Sequence, residues 1–188
     1  MLVTLALAAP ATAASPHGVT AQIETRIGKP AHQDVNCDLV RLDPTEAILL
    51  DGMATDDGRV ALAGTLISGL RGEVFRRAAL HTLAHECWHQ LEFLAGVEQP
   101  SNPSQVARLE GVADGAAEII TRWWCRTRPC IGEIDAGYPH YEPARARAKR
   151  GARPLAWLRD YALSSNPTRG RMWVDAGPRR PRTIRSRR

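Results

Sequence analysis

Apolar and polar positions divide the chain into an N-terminal part with strand patterns and a longer part with helical periodicity. Asp38–Leu42 alternates between the two classes, which is typical of a half-buried strand. Glu46–Asp51 and Arg59–Gly64 are short apolar runs, and the turn-forming cluster at residues 55–58 between them favours a hairpin. A further strand is predicted near Val19–Ile27. Together these elements predict a small N-terminal β-sheet.

From residue 73 onward the apolar positions follow a helical period: Val74, Ala78, Leu83, Leu91 and Leu94. Gly96 is a natural stop, so a first long helix is predicted over residues 73–95. After a loop at residues 100–103, Ser104 can cap a second helix that runs to about Arg126. Strands followed by helices indicate an α+β fold.

The length of 188 residues and the hydrophobic fraction of 44% suit one globular domain with terminal segments. We place this domain at residues 16–165, ending in two short helices predicted at residues 144–150 and 154–163. Residues 145–188 carry 14 Arg and Lys residues against two acids, whereas the preceding part carries 11 against 18. Pro, Gly and Arg dominate residues 166–188, which predicts a basic disordered tail. We expect weak anion binding by this tail and no specific nucleic-acid recognition, because no aromatic pattern accompanies its arginines.

Residues 1–15 contain a short apolar run followed by small residues, which resembles the end of a secretory signal peptide without its basic start. This pattern favours a secreted or cell-surface protein, with a cytoplasmic location as the alternative. The four cysteines suit two disulfides in an exported protein. Four cysteines allow three pairings, of which one closes a short loop between Cys125 and Cys130 and would leave Cys37 to pair with Cys87. The alternative is four free or partly buried thiols in a cytosolic protein. No other stretch approaches the roughly 20 apolar residues of a membrane span.

His85, Glu86 and His89 form an H-E-x-x-H motif within the first predicted helix. Residues four apart lie above one another on a helix, so both imidazoles can reach one zinc ion. Glu86 lies beside them, where it can take a proton from water that the metal activates. The alternative is a solvated helix face on which this spacing arose by chance.

Zinc requires a further protein ligand, and the second helix offers Glu110, Asp114 and Glu118 at intervals of four residues. A connection of about ten residues usually makes two helices antiparallel neighbours, which brings Glu110 close to the second histidine of the motif. We therefore predict Glu110 as the third ligand, with Asp114 and Glu118 as the alternative ligands. Asp114 is expected to accept the spare ring N–H of His85. Glu118 is expected to face His81, which we interpret as a structural histidine.

The H-E-x-x-H motif followed by Glu110-x-x-x-Asp114 resembles the gluzincin pattern of thermolysin-like zinc metallopeptidases over residues 80–118. The resemblance implies a zincin-like fold, in which a small N-terminal sheet packs on the active-site helix and on a second, antiparallel helix. It also implies zinc-dependent hydrolysis of a peptide or protein substrate, with Glu86 as the general base, in a minimal version of the family. Leu109 stands where the family often has Asn. The Gly-x-x-His continuation of metzincins is absent after the motif, so a three-histidine site is rejected.

Two further expectations follow from the same resemblance. A downstream Tyr or His stabilises the oxyanion in that family, which makes Tyr138, His140 and Tyr141 candidates among which the sequence does not choose. An edge strand before the active-site helix aligns an extended peptide there, and Arg59–Gly64 has the matching position.

Two other classes of function compete with a peptidase. One is a metal-binding or interaction domain without catalysis, although a structural zinc site has no need of Glu86. The other is a nucleic-acid-binding protein led by its basic tail. Cys87 points away from His85 on the helix, so it is interpreted as a core or disulfide residue and not as a nucleophile.

Overall fold

The computed structural model describes residues 14–31, 33–48, 50–55, 57–97 and 100–134, which form a mixed α+β fold, as predicted. The four helices of this part are α1 (Pro16–Ala31), α2 (Gly64–Ser68), α3 (Arg77–Leu94) and α4 (Pro103–Cys125). Its five strands are β1 (Asp38–Arg41), β2 (Gly52–Ala54), β3 (Arg59–Leu62), β4 (Phe75–Arg76) and β5 (Cys130–Ile131).

Several predictions fall on residues beyond these ranges. They are the two short helices at 144–150 and 154–163, the tail at 166–188, and nearly all of the leader-like start at 1–15. The candidate oxyanion donors Tyr138, His140 and Tyr141 also lie outside the described residues.

The main sheet has three strands in the order β1-β3-β2. The predicted hairpin is present, because β2 pairs antiparallel with β3 across the turn at residues 55–58. Gly58 has a φ of 91° there, a conformation that glycine adopts without strain. The first strand of the hairpin begins at Gly52, later than the predicted Glu46–Asp51. Asp43 caps a turn by accepting a hydrogen bond from the backbone N–H of Thr45 at 2.9 Å, and a short 3₁₀ helix follows at Glu46–Ile48.

The position of β3 corrects one expectation about substrate binding. Arg59–Gly64 was expected to hold an edge strand, but β3 lies in the centre of the sheet, between parallel β1 and antiparallel β2. Both of its edges are therefore paired, and Val60 and Leu62 are fully buried. Of the two hairpin strands, β2 is the one that lies at an edge of the sheet.

The predicted strand near Val19–Ile27 is wrong, because this segment belongs to helix α1. Val19, Ile23 and Ile27 recur every four residues and are all buried, which is the spacing of one helix face. Gly18, Gly28 and Pro30 weaken the helical signal of the segment. Packing of the apolar face against the core outweighs this weak propensity.

Helices α3 and α4 carry the centre of the core. They are antiparallel neighbours, because His89 lies near Glu110 while His85 lies near Asp114. Several buried residues of α4 are small, which lets neighbouring elements pack closely around this helix: Gly111, Ala113, Gly115, Ala116 and Ala117. The predicted pair of long helices is thus present, and α3 begins at Arg77 because β4 occupies the two preceding residues.

The cap of α4 differs from the prediction by two positions. Asn102 precedes the helix and its side-chain oxygen accepts a hydrogen bond from the backbone N–H of Ser104 at 2.9 Å. Pro103 follows at the first helical position. A backbone N–H at this position has no acceptor within the helix, so proline, which lacks the N–H, is tolerated there. Asn102, and not Ser104, is therefore the capping residue.

Both predicted disulfides are present. Cys37 pairs with Cys87, with Cα atoms 5.6 Å apart, and Cys125 pairs with Cys130 at 5.5 Å. The first bond fastens the residue before β1 to the middle of α3. Within the described ranges, no helix combines the length and apolarity that a membrane crossing requires.

Candidate metal centre

Two imidazole rings of α3 converge on one point. The Nε2 atoms of His85 and His89 are 3.1 Å apart, and their ring centroids are 4.8 Å apart. This arrangement follows from the four-residue spacing of the motif, which places both side chains on one face of the helix. His89 is buried, and the His85 side chain retains 13% exposure.

Glu110 of α4 completes a triangle with the two rings. Its Oε2 atom lies 3.0 Å from Nε2 of His85 and 3.5 Å from Nε2 of His89. A tetrahedral zinc ion with bonds of about 2.0–2.2 Å holds its ligand atoms about 3.3–3.6 Å apart. The triangle, with sides of 3.0, 3.1 and 3.5 Å, is slightly smaller, and its two imidazole nitrogens and one carboxylate oxygen could hold a metal ion. The Glu110 side chain is 22% exposed, which leaves one side of the cluster reachable from solvent.

Each ring nitrogen that faces away from this point has its own buried carboxylate. The Nδ1–H of His85 donates to Oδ1 of Asp114 at 2.9 Å, which is the contact expected from the sequence. The Nδ1–H of His89 donates to Oε2 of Glu92 at 2.7 Å. With Nδ1 as donor to its own carboxylate, Nε2 is the nitrogen of each ring that is left to bind a metal, once the metal has displaced any proton on it.

Glu92 is absent from the residues predicted from the sequence. The signal that could have revealed it is its position three residues after His89, on the same face of the helix. The carboxylates that stand out in the sequence are those of the second helix, because Glu110, Asp114 and Glu118 recur every four residues. A carboxylate partner supplied by α3 itself was therefore missed.

The carboxylates favour positive charge at the point where the rings meet. Burial lowers the pKa of His85, but hydrogen bonds with Asp114 and Glu110 outweigh it and raise the pKa to about 9. Burial likewise opposes protonation of His89, yet the charge of Glu92 and hydrogen bonds with Glu110 and Glu92 hold its pKa well above the usual value. Burial raises the pKa of Glu110, but hydrogen bonds from the two histidines hold it well below its ordinary range.

Glu86 lies between the group of His85, His89 and Glu110 and the sheet. Its carboxyl group is buried, and this burial raises its pKa, against the opposing charges of His85 and His89. A backbone hydrogen bond from Ala54 of β2 also reaches the carboxylate. A carboxylate with a raised pKa beside a metal site is suited to accept and return a proton.

The edge strand β2 is held closely against α3 beside Glu86. A Cβ atom at Gly52 would lie 3.0 Å from Cγ of Glu86, so only glycine permits this approach. One turn further along α3, the buried Gln90 donates from Nε2 to the carbonyl oxygens of Thr55 at 2.8 Å and Arg59 at 3.0 Å. These contacts fix the hairpin relative to the two histidines.

The remaining residues singled out in the sequence lie around this centre. His81 and Glu118 are both buried, the His81 ring is 6.4 Å from that of His85 between centroids, and Glu118 forms an ion pair with Arg122 at 2.6 Å. Neither belongs to the converging group of His85, His89 and Glu110. Cys87 is in a disulfide, as interpreted from its position on the helix.

Comparisons of the chain with protein-family models, with curated proteins and with solved structures found no match in any of the three. The functional assignment therefore depends on the geometry and chemistry of the site.

Proposed function

We propose that the protein is a zinc-dependent peptidase with a minimal gluzincin-type centre. The observation that carries this proposal is the convergence of His85, His89 and Glu110 within 3.0–3.5 Å, next to a buried Glu86. His85, His89 and Glu110 would hold the metal, and Asp114 would orient His85. A zinc ion in this position would activate a water molecule and polarise the carbonyl group of a substrate.

Glu86 performs the proton transfers in the proposed reaction. Its carboxylate takes a proton from the attacking water and returns it to the leaving amine. The raised pKa of Glu86 supports both halves of this cycle, because it brings the pKa of the carboxyl group closer to neutral pH. The hydrogen bond from Ala54 keeps the side chain in place between transfers.

We assign substrate alignment to β2 in place of Arg59–Gly64. Within the described part of the chain, β2 pairs only with β3, so its outer edge can offer an extended peptide the backbone groups that remain besides the Ala54 N–H, which donates to Glu86. The close approach of Gly52 to Glu86 supports this assignment, because β2 then lies beside the proposed general base. We also propose a zincin-like fold, and the packing of α3 against the sheet and against antiparallel α4 supports this proposal. The candidate oxyanion donors Tyr138, His140 and Tyr141 stay predictions.

The competing function is a metal-binding domain that does not catalyse hydrolysis. It accounts for the three ligands equally well, but it gives no reason for a buried carboxylate at position 86 with a backbone hydrogen bond. We favour the enzyme for this reason. Two disulfides agree with our proposal that the protein is secreted or cell-surface.

The two functions are separated by metal analysis and a peptide-library cleavage assay on the same preparations. The wild type should hold one zinc ion and cleave peptides, and Glu86→Gln should retain the zinc but lose at least about 100-fold in activity. His89→Ala should lose the zinc. Exposed Glu73→Gln and His17→Ala are matched controls that should behave as wild type. Wild-type protein that binds zinc but cleaves nothing would favour the binding domain, and protein that does not bind zinc would refute both.

A further inference from the structure

Glu92 is a buried carboxylate with two hydrogen-bond partners on its own helix. Its side chain is 3% exposed. Oε2 accepts a hydrogen bond from Nδ1–H of His89 at 2.7 Å, and Oε1 accepts one from Nε1–H of Trp88 at 3.0 Å. A buried carboxylate is costly unless it is well hydrogen-bonded, so both contacts stabilise the placement of Glu92.

The spacing on α3 explains why these groups meet. Trp88 and His89 precede Glu92 by four and three residues, and residues at these intervals are neighbours on a helix surface. His85 obtains its carboxylate from Asp114 on the other helix, whereas His89 obtains one from α3 itself. The two imidazoles are therefore oriented by independent elements of the fold.

A role for Glu92 in stability alone does not explain why its second carboxylate oxygen is bonded to His89. The indole N–H of Trp88 needs only one acceptor, and a neutral glutamine could provide it. The second oxygen is directed at His89, on the ring nitrogen opposite to the one that faces Glu110. An acceptor at this position fixes the ring orientation and keeps Nε2 directed at the cluster, where a metal could bind it.

We propose that Glu92 is a positioning residue that fixes the tautomer and orientation of His89 for the metal, and that Trp88 anchors Glu92. This inference rests on the proposed function, because it assigns the role toward a zinc ion held by His85, His89 and Glu110. It adds a second ring-orienting carboxylate to the one that the gluzincin resemblance implies. It also makes Trp88 part of the site and not only of the core.

The variant Glu92→Gln tests this role through zinc affinity, measured by competition with a chromogenic chelator. Loss of an orienting carboxylate typically weakens metal affinity by about 10–100-fold, and we expect a loss of this size. The visible absorption spectrum of the cobalt-substituted protein should also shift, because the geometry of one ligand changes. Asp114→Asn serves as the comparison for His85, and exposed Glu73→Gln serves as the matched control.

The outcomes distinguish this inference from the proposed function. If wild-type protein binds no zinc, the proposed function fails and this inference fails with it. If wild type binds zinc while Glu92→Gln binds it within twofold and has an unchanged cobalt spectrum, Glu92 has no positioning role, but the metal centre stands. A lower melting temperature of metal-free Glu92→Gln without those two changes assigns Glu92 to stability alone.

A measurement on the wild type does not depend on whether the variant folds. Long-range ¹H–¹⁵N spectra of the zinc-loaded protein report which ring nitrogen of each histidine carries the proton. We expect a proton on Nδ1 and metal on Nε2 for both His85 and His89. A proton on Nε2 of His89 would overturn the inference.

Discussion

Gly52 of β2 lies so close to Glu86 of α3 that a methyl group at position 52 would sit 3.0 Å from Cγ of the glutamate. The same methyl group would lie 2.8 Å from side-chain atoms of Leu62 and Thr82. Contact between the edge strand and the carboxylate thus depends on the absence of a side chain at one position.

Gly52→Ala should therefore push β2 away from α3. We expect a loss of about 1–3 kcal/mol in the free energy of unfolding, as for overpacked positions, and reduced peptide hydrolysis with zinc content unchanged. Chemical denaturation and metal analysis measure the two effects. Gly18→Ala in α1 is the matched control. Among the described residues, a Cβ at this position would meet only Ser15 Oγ, at an ordinary contact distance of 3.4 Å. Equal stability of Gly52→Ala and wild type would contradict the close packing.

Gln90→Met should loosen the hairpin from α3. The change keeps the size of the side chain but removes the donor that serves the carbonyl oxygens of Thr55 and Arg59. Each oxygen keeps a backbone donor, the N–H of Gly58 for Thr55 at 3.2 Å and the N–H of Thr55 for Arg59 at 3.0 Å, so the expected loss is about 0.5–1.5 kcal/mol for each hydrogen bond removed. Relative to wild type, the rate of amide hydrogen exchange should increase more in β2 and β3 than in α4. An equal change in exchange rate in all three elements would show that Gln90 does not hold the hairpin.

Zinc binding near pH 7 should release protons. The pKa of His85 is raised to about 9, so its imidazole is protonated in metal-free protein, and the metal must displace that proton. Calorimetric binding enthalpies should consequently differ between buffers with different ionisation enthalpies. Identical enthalpies in phosphate and Tris would contradict this expectation.

The same raised pKa makes the stability of the metal-free protein depend on pH. A folded-state pKa above the ordinary value of 6.5 stabilises the fold fully below that value, and the contribution is lost as pH rises through about 9. Metal-free protein should thus melt at lower temperature at pH 9 than at pH 6.5. Zinc affinity should rise over the same interval, because fewer protons compete.

Removal of the two disulfides should have unequal effects. Cys37–Cys87 closes 50 residues and Cys125–Cys130 closes five, so chain entropy assigns them about 4 and about 2 kcal/mol. Cys37→Ala combined with Cys87→Ala should lower the melting temperature more than Cys125→Ala combined with Cys130→Ala. The reverse order would show that loop entropy does not determine how much each disulfide contributes to stability.

Much of the candidate site could be predicted from the sequence, because its main contacts repeat every four residues on two long helices. That spacing was sufficient to place His89 near Glu110 and His85 near Asp114. It could not reveal the edge strand, since the parallel pairing of β1 with β3 depends on contacts far apart in the chain. The contact of Gly52 with Glu86 is hidden for the same reason. Val19, Ile23 and Ile27 did carry a helical spacing, but the flanking glycines and Pro30 obscured it.

Trp88, His89 and Glu92 lie within five consecutive residues, so their contacts require no loop closure and can form as soon as α3 is helical. Glu110 and Asp114 join only after the chain has reversed direction and α4 has packed. We therefore predict that the cluster assembles in two stages, in which His89 is oriented by its own helix first and His85 only after α4 has docked. Folding experiments should find His89 ordered before His85.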